Sequence, residues 1–432
     1  MTVDPAAVGS PSSVDRLHPD PAAAAVAQAP APAATVSVAF VDAPAPLDAP
    51  GVSGAAPLPP EAWVTALSSL EAMGPRRMRA VLDHHPDGQA AWNAVATGGA
   101  HRIPAVSIAM GIKVEAIARS WVRQAAQLDV ADYWRRHGAA GVGVTLQGQA
   151  AYPGLFADDI DPPIILFHLG DPDVVVGTRV AIVGTRDCTR YGHELAFELG
   201  RDLSAAGVAI VSGLALGIDS SAHAGAISAD AAPPIAVVGS GLDVIYPRRN
   251  GPLWREVARR GLVWSEYPLG SIAAPWHFPA RNRLIAALAD VVVVVESHAT
   301  GGALLTADAA LDRGRTVMAV PGPVRSAASK GSNDLLVAGG SASVARDATD
   351  VLVALGMAPG SRRKTVERRT SPSAADRTVL DAIGWQPATL DHLVLRTGGS
   401  VADLASALAR LERAGWIAPR GGWFERVAKS DG

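Results

Sequence analysis

The sequence predicts an α/β protein organised on a doubly wound, mostly parallel sheet, with a small helical domain before it and a compact module of helices and a hairpin after it. Three observations carry this reading. Six short apolar runs, most of them rich in β-branched residues, recur at Arg179 to Val183, Val208 to Ser212, Ile235 to Val238, Leu262 to Ser265, Val291 to Val295 and Thr316 to Ala319. Runs such as Val291 to Val295 that are apolar throughout mark strands covered on both faces by helices, as in parallel sheets. The first two runs are joined by an amphipathic stretch, Tyr191 to Ala206, long enough for a crossover helix. Several runs also stop at a glycine-containing loop, and in a βαβ unit such loops share the sheet edge where ligands bind.

At 432 residues and 49% hydrophobic composition the chain has material for several domains and a sizeable core. A formal net charge of -3 offers no global attraction to polyanions, so any such site depends on local arginines. The single cysteine, Cys188, excludes an internal disulfide framework and a cysteine metal cluster, and fits a reducing cytoplasm. The absence of a run of 18 apolar residues predicts no membrane span.

In chain order, residues 1–57 are dominated by Ala and Pro and are expected to be disordered. Residues 58–147 are expected to form a helical domain of helix-hairpin-helix or SAM-like type. Its break at Met73-Gly74-Pro75-Arg76-Arg77-Met78 admits two readings, a phosphate-holding turn or plain helical packing, and with only one such turn packing is favoured. Residues 148–356 are the α/β domain. Residues 357–372 form a basic linker around Ser361 to Arg369. Residues 373–428 read as three helices and a hairpin, Trp416 to Pro419 and Trp423 to Val427, and resemble a winged helix. Its third helix, Val401 to Ala414, mixes Asp403 and Glu412 with Arg410 and Arg413, so protein contact is as well supported as groove reading.

The chemistry concentrates where strands end. Val183-Gly184-Thr185-Arg186, Ser212-Gly213 through Gly217, and Gly239-Ser240-Gly241 are three glycine loops whose backbone N–H groups can converge on a phosphate. None follows the dinucleotide or P-loop spacing. Trp276-His277-Phe278-Pro279-Ala280-Arg281-Asn282-Arg283 sets arginines beside aromatic rings, a pairing that grips a single-stranded backbone and stacks an unstacked base at about 1–3 kcal/mol each. The plainer alternative is a helix start whose arginines pair with local carboxylates. Catalytic constellations are sparse: His193, His223, His277 and His298 lack metal-ligand spacing, and Asp219 with His223 reads as a cap and a supporting pair. No catalytic role, metal or cofactor is expected.

These same words run in the order found in the DNA-processing protein A (DprA, or Smf) family, which the sequence resembles. They are Val183 to Arg186 with Tyr191-Gly192, Ser212 to Asp219 with Ala222-His223, Gly241 to Pro247, Ser265-Glu266, Phe278 to Arg283, Gly302 to Ala307, Gly314-Arg315, Pro321-Gly322 and Gly331 to Asn333. The resemblance implies a Rossmann-like domain that binds and protects single-stranded DNA without catalysis and helps load the RecA recombinase, as in natural transformation, as a cytoplasmic homodimer. It implies Arg186 as the loop arginine for phosphate and Phe278, Arg281 and Arg283 as pocket residues, with Gly184, Gly213, Gly217 and Gly239 shaping the cradle. Thr185, Ser212, Ser240 and Asn282 complete the expected nucleic-acid-binding set. Leu216 departs from the family pattern where a basic residue is frequent, and Gly301 stands where a serine is frequent. The rival reading is a Rossmann-like nucleotide sensor or a nucleoside-monophosphate phosphoribohydrolase, whose Pro-Gly-Gly-x-Gly-Thr-x-x-Glu word is matched by Thr300 to Asp308 only without the glutamate.

Overall fold

A computed structural model describes residues 57–337, 339, 341–357, 369–384 and 387–427. The Ala/Pro-rich segment through residue 56 and most of the basic linker lie outside the described residues.

Six helices open the described chain: α1 (Pro60–Ser68), α2 (Pro75–Leu82), α3 (Gly88–Ala96), α4 (Pro104–Met110), α5 (Val114–Ala125) and α6 (Val130–Ala139). Proline at the first position of α1, α2 and α4 starts each helix where its missing N–H costs nothing. Aspartates do the same work for α3 and α6: Asp87 and Asp129 accept backbone N–H bonds from Ala90 and Asp132. At the break from Met73 to Met78, Arg77 is spent internally on the carbonyls of Ala72 and Ala109, and just beyond it Arg79 bonds to Gln147 and the Pro162 carbonyl, in line with the favoured packing reading. Both arginines serve packing.

The sheet that follows has nine strands: β1 (Gly143–Leu146), β2 (Ile165–Gly170), β3 (Arg179–Val183), β4 (Ala209–Ser212), β5 (Ile235–Val238), β6 (Leu262–Ser265), β7 (Val291–Val294), β8 (Thr316–Ala319) and β9 (Ser343–Val344). Their order is β1-β2-β6-β5-β4-β3-β7-β8-β9. From β6 to β9 every pairing is parallel, while β1 and β2 add an antiparallel edge. All six runs expected as strands are strands. The sheet itself begins at Gly143, ahead of residue 148, because β1 pairs with β2 across a loop.

Between the strands lie α7 (Gly154–Ala157), α8 (Arg190–Ala205), α9 (Ile218–Ala229), α10 (Gly251–Arg260), α11 (His277–Leu288), α12 (Gly302–Leu311) and α13 (Lys330–Val337), and α14 (Ala348–Ala354) follows β9. The period-two alternation of a strand sends neighbouring residues to different layers. Thus Ile210 packs in the core under α8 and α9, and Val211 in the core under α11 and α12. Val238 and Val263 join a third core with Leu67 and Trp121, so the six-helix domain covers the β2-β6-β5 end of the sheet. Tyr133 and His137 of α6 fasten this cover: the tyrosine hydroxyl donates to the Leu269 carbonyl at 2.7 Å, and His137 Nε2 accepts from the Leu269 N–H at 3.2 Å. Burial holds the His137 ring below the usual imidazole range, which keeps Nε2 free to accept.

The last module contains α15 (Ala374–Ile383), α16 (Leu390–Thr397) and α17 (Val401–Arg413) with β10 (Ala388–Thr389), β11 (Ile417–Arg420) and β12 (Trp423–Arg426). It has its own core around Leu380, Leu393, Leu408 and Ile417. In α17, Arg410 is paired with Asp376 at 2.6 Å and Arg413 bonds to the helix's own Ala409 carbonyl.

Candidate nucleic-acid interface

The strand order reverses at β3: the chain winds from β3 through β4 and β5 to β6, then returns to place β7 on the other side of β3. In such sheets the crevice outside the carboxyl ends of the two strands at the reversal is the usual ligand site. Gly184, Thr185 and Arg186 leave β3 at this point, and Gly213 and Gly217 leave the neighbouring β4. Gly239 and Ser240 leave β5, one strand further on. Phe278, Arg281, Asn282 and Arg283 lie within the first two turns of α11, whose start is tied to the same edge by a 2.9 Å hydrogen bond between His277 Nδ1 and the Gly239 carbonyl. The fold therefore brings the expected residues to one edge of the sheet.

Their side chains do different things there. The three glycine loops, expected as an open anion cradle, are largely filled by the protein's own acceptors. Glu296, two residues beyond β7 and buried, accepts from the Thr189 N–H at 2.8 Å and the Thr189 hydroxyl at 2.7 Å. It thereby occupies the start of α8, where a phosphate would sit in a nucleotide-binding relative of this fold. A Cβ on Gly192 would overlap the same carboxylate, so glycine is required for this fit. The Thr185 N–H donates to the Glu296 carbonyl, and a side chain on Gly184 would run into Ile218.

In the second loop, Asp219 accepts from the Gly213 N–H at 3.1 Å, and Gly217 has φ 77°, a conformation that glycine adopts freely. In the third, the Gly241 N–H donates to the Ser271 carbonyl. The hydroxyls of Ser212 and Ser240 are also committed, donating to the carbonyls of Ile182 and Val244. These loops shape the edge. Their paired amides are not displayed for a ligand.

The arginines divide in the same way. Arg281 is 4% exposed: Nη1 donates to the Val237 carbonyl at 2.6 Å, and a Cβ on Gly213 would overlap the guanidinium. Burial lowers it to about 10, with the nearby Asp219 charge pulling the other way; Asp219 itself is raised by burial and held back by Arg281. Arg281 is thus a buried brace for β4 and β5. Arg283 is paired with Glu266 at 2.5 Å and Asp161 at 3.1 Å, as the plainer reading of this segment allowed. Burial raises Glu266 to about 7 against the pull of Arg283. Asn282 donates to the Gly302 carbonyl at 3.1 Å.

Arg186 behaves otherwise. It is exposed, and its guanidinium lies over the Phe278 ring, 4.7 Å from the centroid. The other neighbour of Phe278 is Tyr246, with ring centroids 5.5 Å apart. A cation poised on an aromatic face at the mouth of the crevice can meet a phosphate while the rings beside it meet a base.

Beneath this surface His223 is 0% exposed and neither ring nitrogen has a hydrogen-bond partner. Burial lowers it to about 4; the Ser212 carbonyl is close enough to oppose this in part, and Arg281 reinforces it. The roles of Glu296 and Tyr246 escaped the sequence reading. Glu296 had a signal, as the first charged residue after a fully apolar strand. Among the described residues no group of His, Cys, Asp and Glu is arranged to hold a metal, and no helix is long and apolar enough to cross a membrane.

Comparison with known proteins agrees with this architecture. Residues 143–356 match the family model described as DNA recombination-mediator protein A, and residues 364–422 match the DprA winged helix domain. The putative DNA processing protein DprA of Mycobacterium tuberculosis is 38% identical over 264 residues, covering 60% of this chain and 68% of the relative. Protein Smf of Escherichia coli is 32% identical over 289 residues, covering 65% and 76%. The crystal structure of DNA processing protein A from Streptococcus pneumoniae superposes with a TM-score of 0.55 at 29% identity, over 68% of this chain and 96% of that one. With the family words in order and their residues gathered on one sheet edge, the chain belongs to the DprA/Smf family of DNA recombination mediators.

Proposed function

We propose that the chain binds single-stranded DNA along the carboxyl edge of its sheet, without hydrolysing it, and passes the strand to a recombinase of the RecA class. The observation that carries this reading is the exposed Arg186 guanidinium stacked on Phe278 at the strand-order reversal. A cation with adjoining rings suits a phosphate followed by an unstacked base, and duplex DNA presents no unstacked base. The rival nucleotide-site reading is disfavoured by Glu296, whose carboxylate fills the helix start that a nucleotide phosphate would need.

The protein is further proposed to act in the cytoplasm as a homodimer. In support, β9 is paired only with β8 among the described residues, and Val337, Val344 and Val353 are exposed around that edge. Such an apolar sheet edge is suited to cover by a second copy. Passage to the recombinase is supported by the family and by the mixed charge of α17, where Arg410 is paired with Asp376, which suits the winged module to protein contact.

Filter binding of labelled single and double strands tests the central claim. Single strands should be preferred, with affinity falling as salt rises. Arg186→Ala should weaken single-strand binding roughly ten- to hundredfold, the loss of one charge-assisted contact. Equal affinity for both forms, or an Arg186→Ala variant that binds as the parent does, would refute the site.

A further inference from the structure

Phe278 is the aromatic residue of the family word, yet its ring is already engaged by Arg186 and Tyr246 and is only partly exposed. Two other aromatic side chains at this edge are more open. Trp276 is 71% exposed and Tyr246 is 46% exposed. The backbone that carries Trp276 is anchored through its neighbour His277. Trp276 immediately precedes α11 and meets the His277 ring edge-on at 5.7 Å; that ring is stacked on Tyr267 at 3.9 Å and bonded to the Gly239 carbonyl. An exposed indole on a fixed support loses little rotamer freedom on binding, and its exposure leaves it little to do in the fold. Tyr246 is supported by Phe278, and Arg249, three residues on, adds an exposed cation.

We propose that Trp276 and Tyr246 are base-stacking positions of the single-strand site, Tyr246 beside Phe278 and Trp276 at the start of α11, so that the protein holds more than one unstacked base along the β5–β6 side of the edge. Phe278 acts mainly as the support that orders Tyr246 and Arg186. The inference rests on the proposed single-strand function and deepens it.

Oligothymidylates carrying one abasic residue, moved stepwise along the strand, test it on the full chain. The parent protein should lose affinity at the abasic positions that face a ring. Trp276→Ala should bind the intact strand roughly 5- to 150-fold more weakly, the span of about 1–3 kcal/mol per stacked base. The same variant should no longer discriminate at one abasic position, while the dependence of affinity on salt stays as in the parent. Trp276→Phe should restore most of the loss, and Tyr246→Ala should abolish discrimination at a neighbouring position. If the parent fails to bind single strands, the functional reading fails. If the parent binds and Trp276→Ala keeps its full abasic profile, the stacking assignment alone is overturned. A lost affinity with an unchanged profile would likewise mark Trp276 as structural and overturn it.

Discussion

Two arginines from one family word, Arg281 and Arg283, are committed to the protein's own acceptors, while the third candidate, Arg186, is exposed over Phe278. Salt dependence separates them. On single strands each phosphate contact contributes about 0.7 to the slope of log affinity against log salt. Arg186→Ala should therefore flatten the slope by about that amount. Arg281→Met should weaken binding through the collapse of the Gly213 loop and leave the slope unchanged. It should also lower stability, because the Val237 carbonyl loses a buried donor and Asp219 loses a nearby opposite charge. Chemical denaturation and binding titrations at several salt concentrations read both effects.

His223 supplies a pH dependence at the same scale. Its folded value, about 4, lies below the 6.5 of an unfolded histidine, so between these limits the unfolded chain binds the extra proton. The stability this ring contributes is intact above pH 6.5 and is lost as pH falls toward 4, by up to about 3 kcal/mol. Urea midpoints for the parent and His223→Gln across that range should diverge in slope. Parallel curves would show that the ring does not govern the acid limb.

At the scale of elements, α11 shows what the sequence could and could not convey. Its start, its aromatic residues and its arginines were all legible. Successive helical residues turn by about 100°, so residues 281 and 283 stand about 200° apart and cannot face one ligand. That inference needed only the helix boundary at His277. The partners themselves were beyond reach, because Asp161 lies far back along the chain from Arg283 and the Val237 carbonyl far back from Arg281. The glycine loops were legible as turns for the same local reason that strands were, and their filling by Glu296 and Asp219 was not. The winged module makes a prediction here. Its core is separate from those of the sheet, and it meets the sheet domain where Pro419 and Arg420 line one cavity with Thr189 and Arg190 at the start of α8, away from Phe278 and α11 in the chain. A chain ending at Met357 is expected to retain most of the single-strand affinity in filter binding, with its loss appearing in RecA-loading assays.

For the whole molecule, the fold class was readable because burial on both faces leaves an unmistakable apolar run in each central strand. The antiparallel edge was less readable. β1 is four residues long and joins the sheet only by pairing with β2, a long-range choice that no local pattern encodes. The grip of Tyr133 and His137 on Leu269 belongs to this scale as well, since it joins the amino-terminal helices to the segment that leads into Trp276. The Leu269 amide proton is consequently a built-in gauge of domain docking. In native-state hydrogen exchange it should be protected as long as α6 stays seated, and should exchange early in a His137→Ala protein whose other sheet amides remain slow. The carboxyl edge of the sheet would then inherit its rigidity from a separate helical domain.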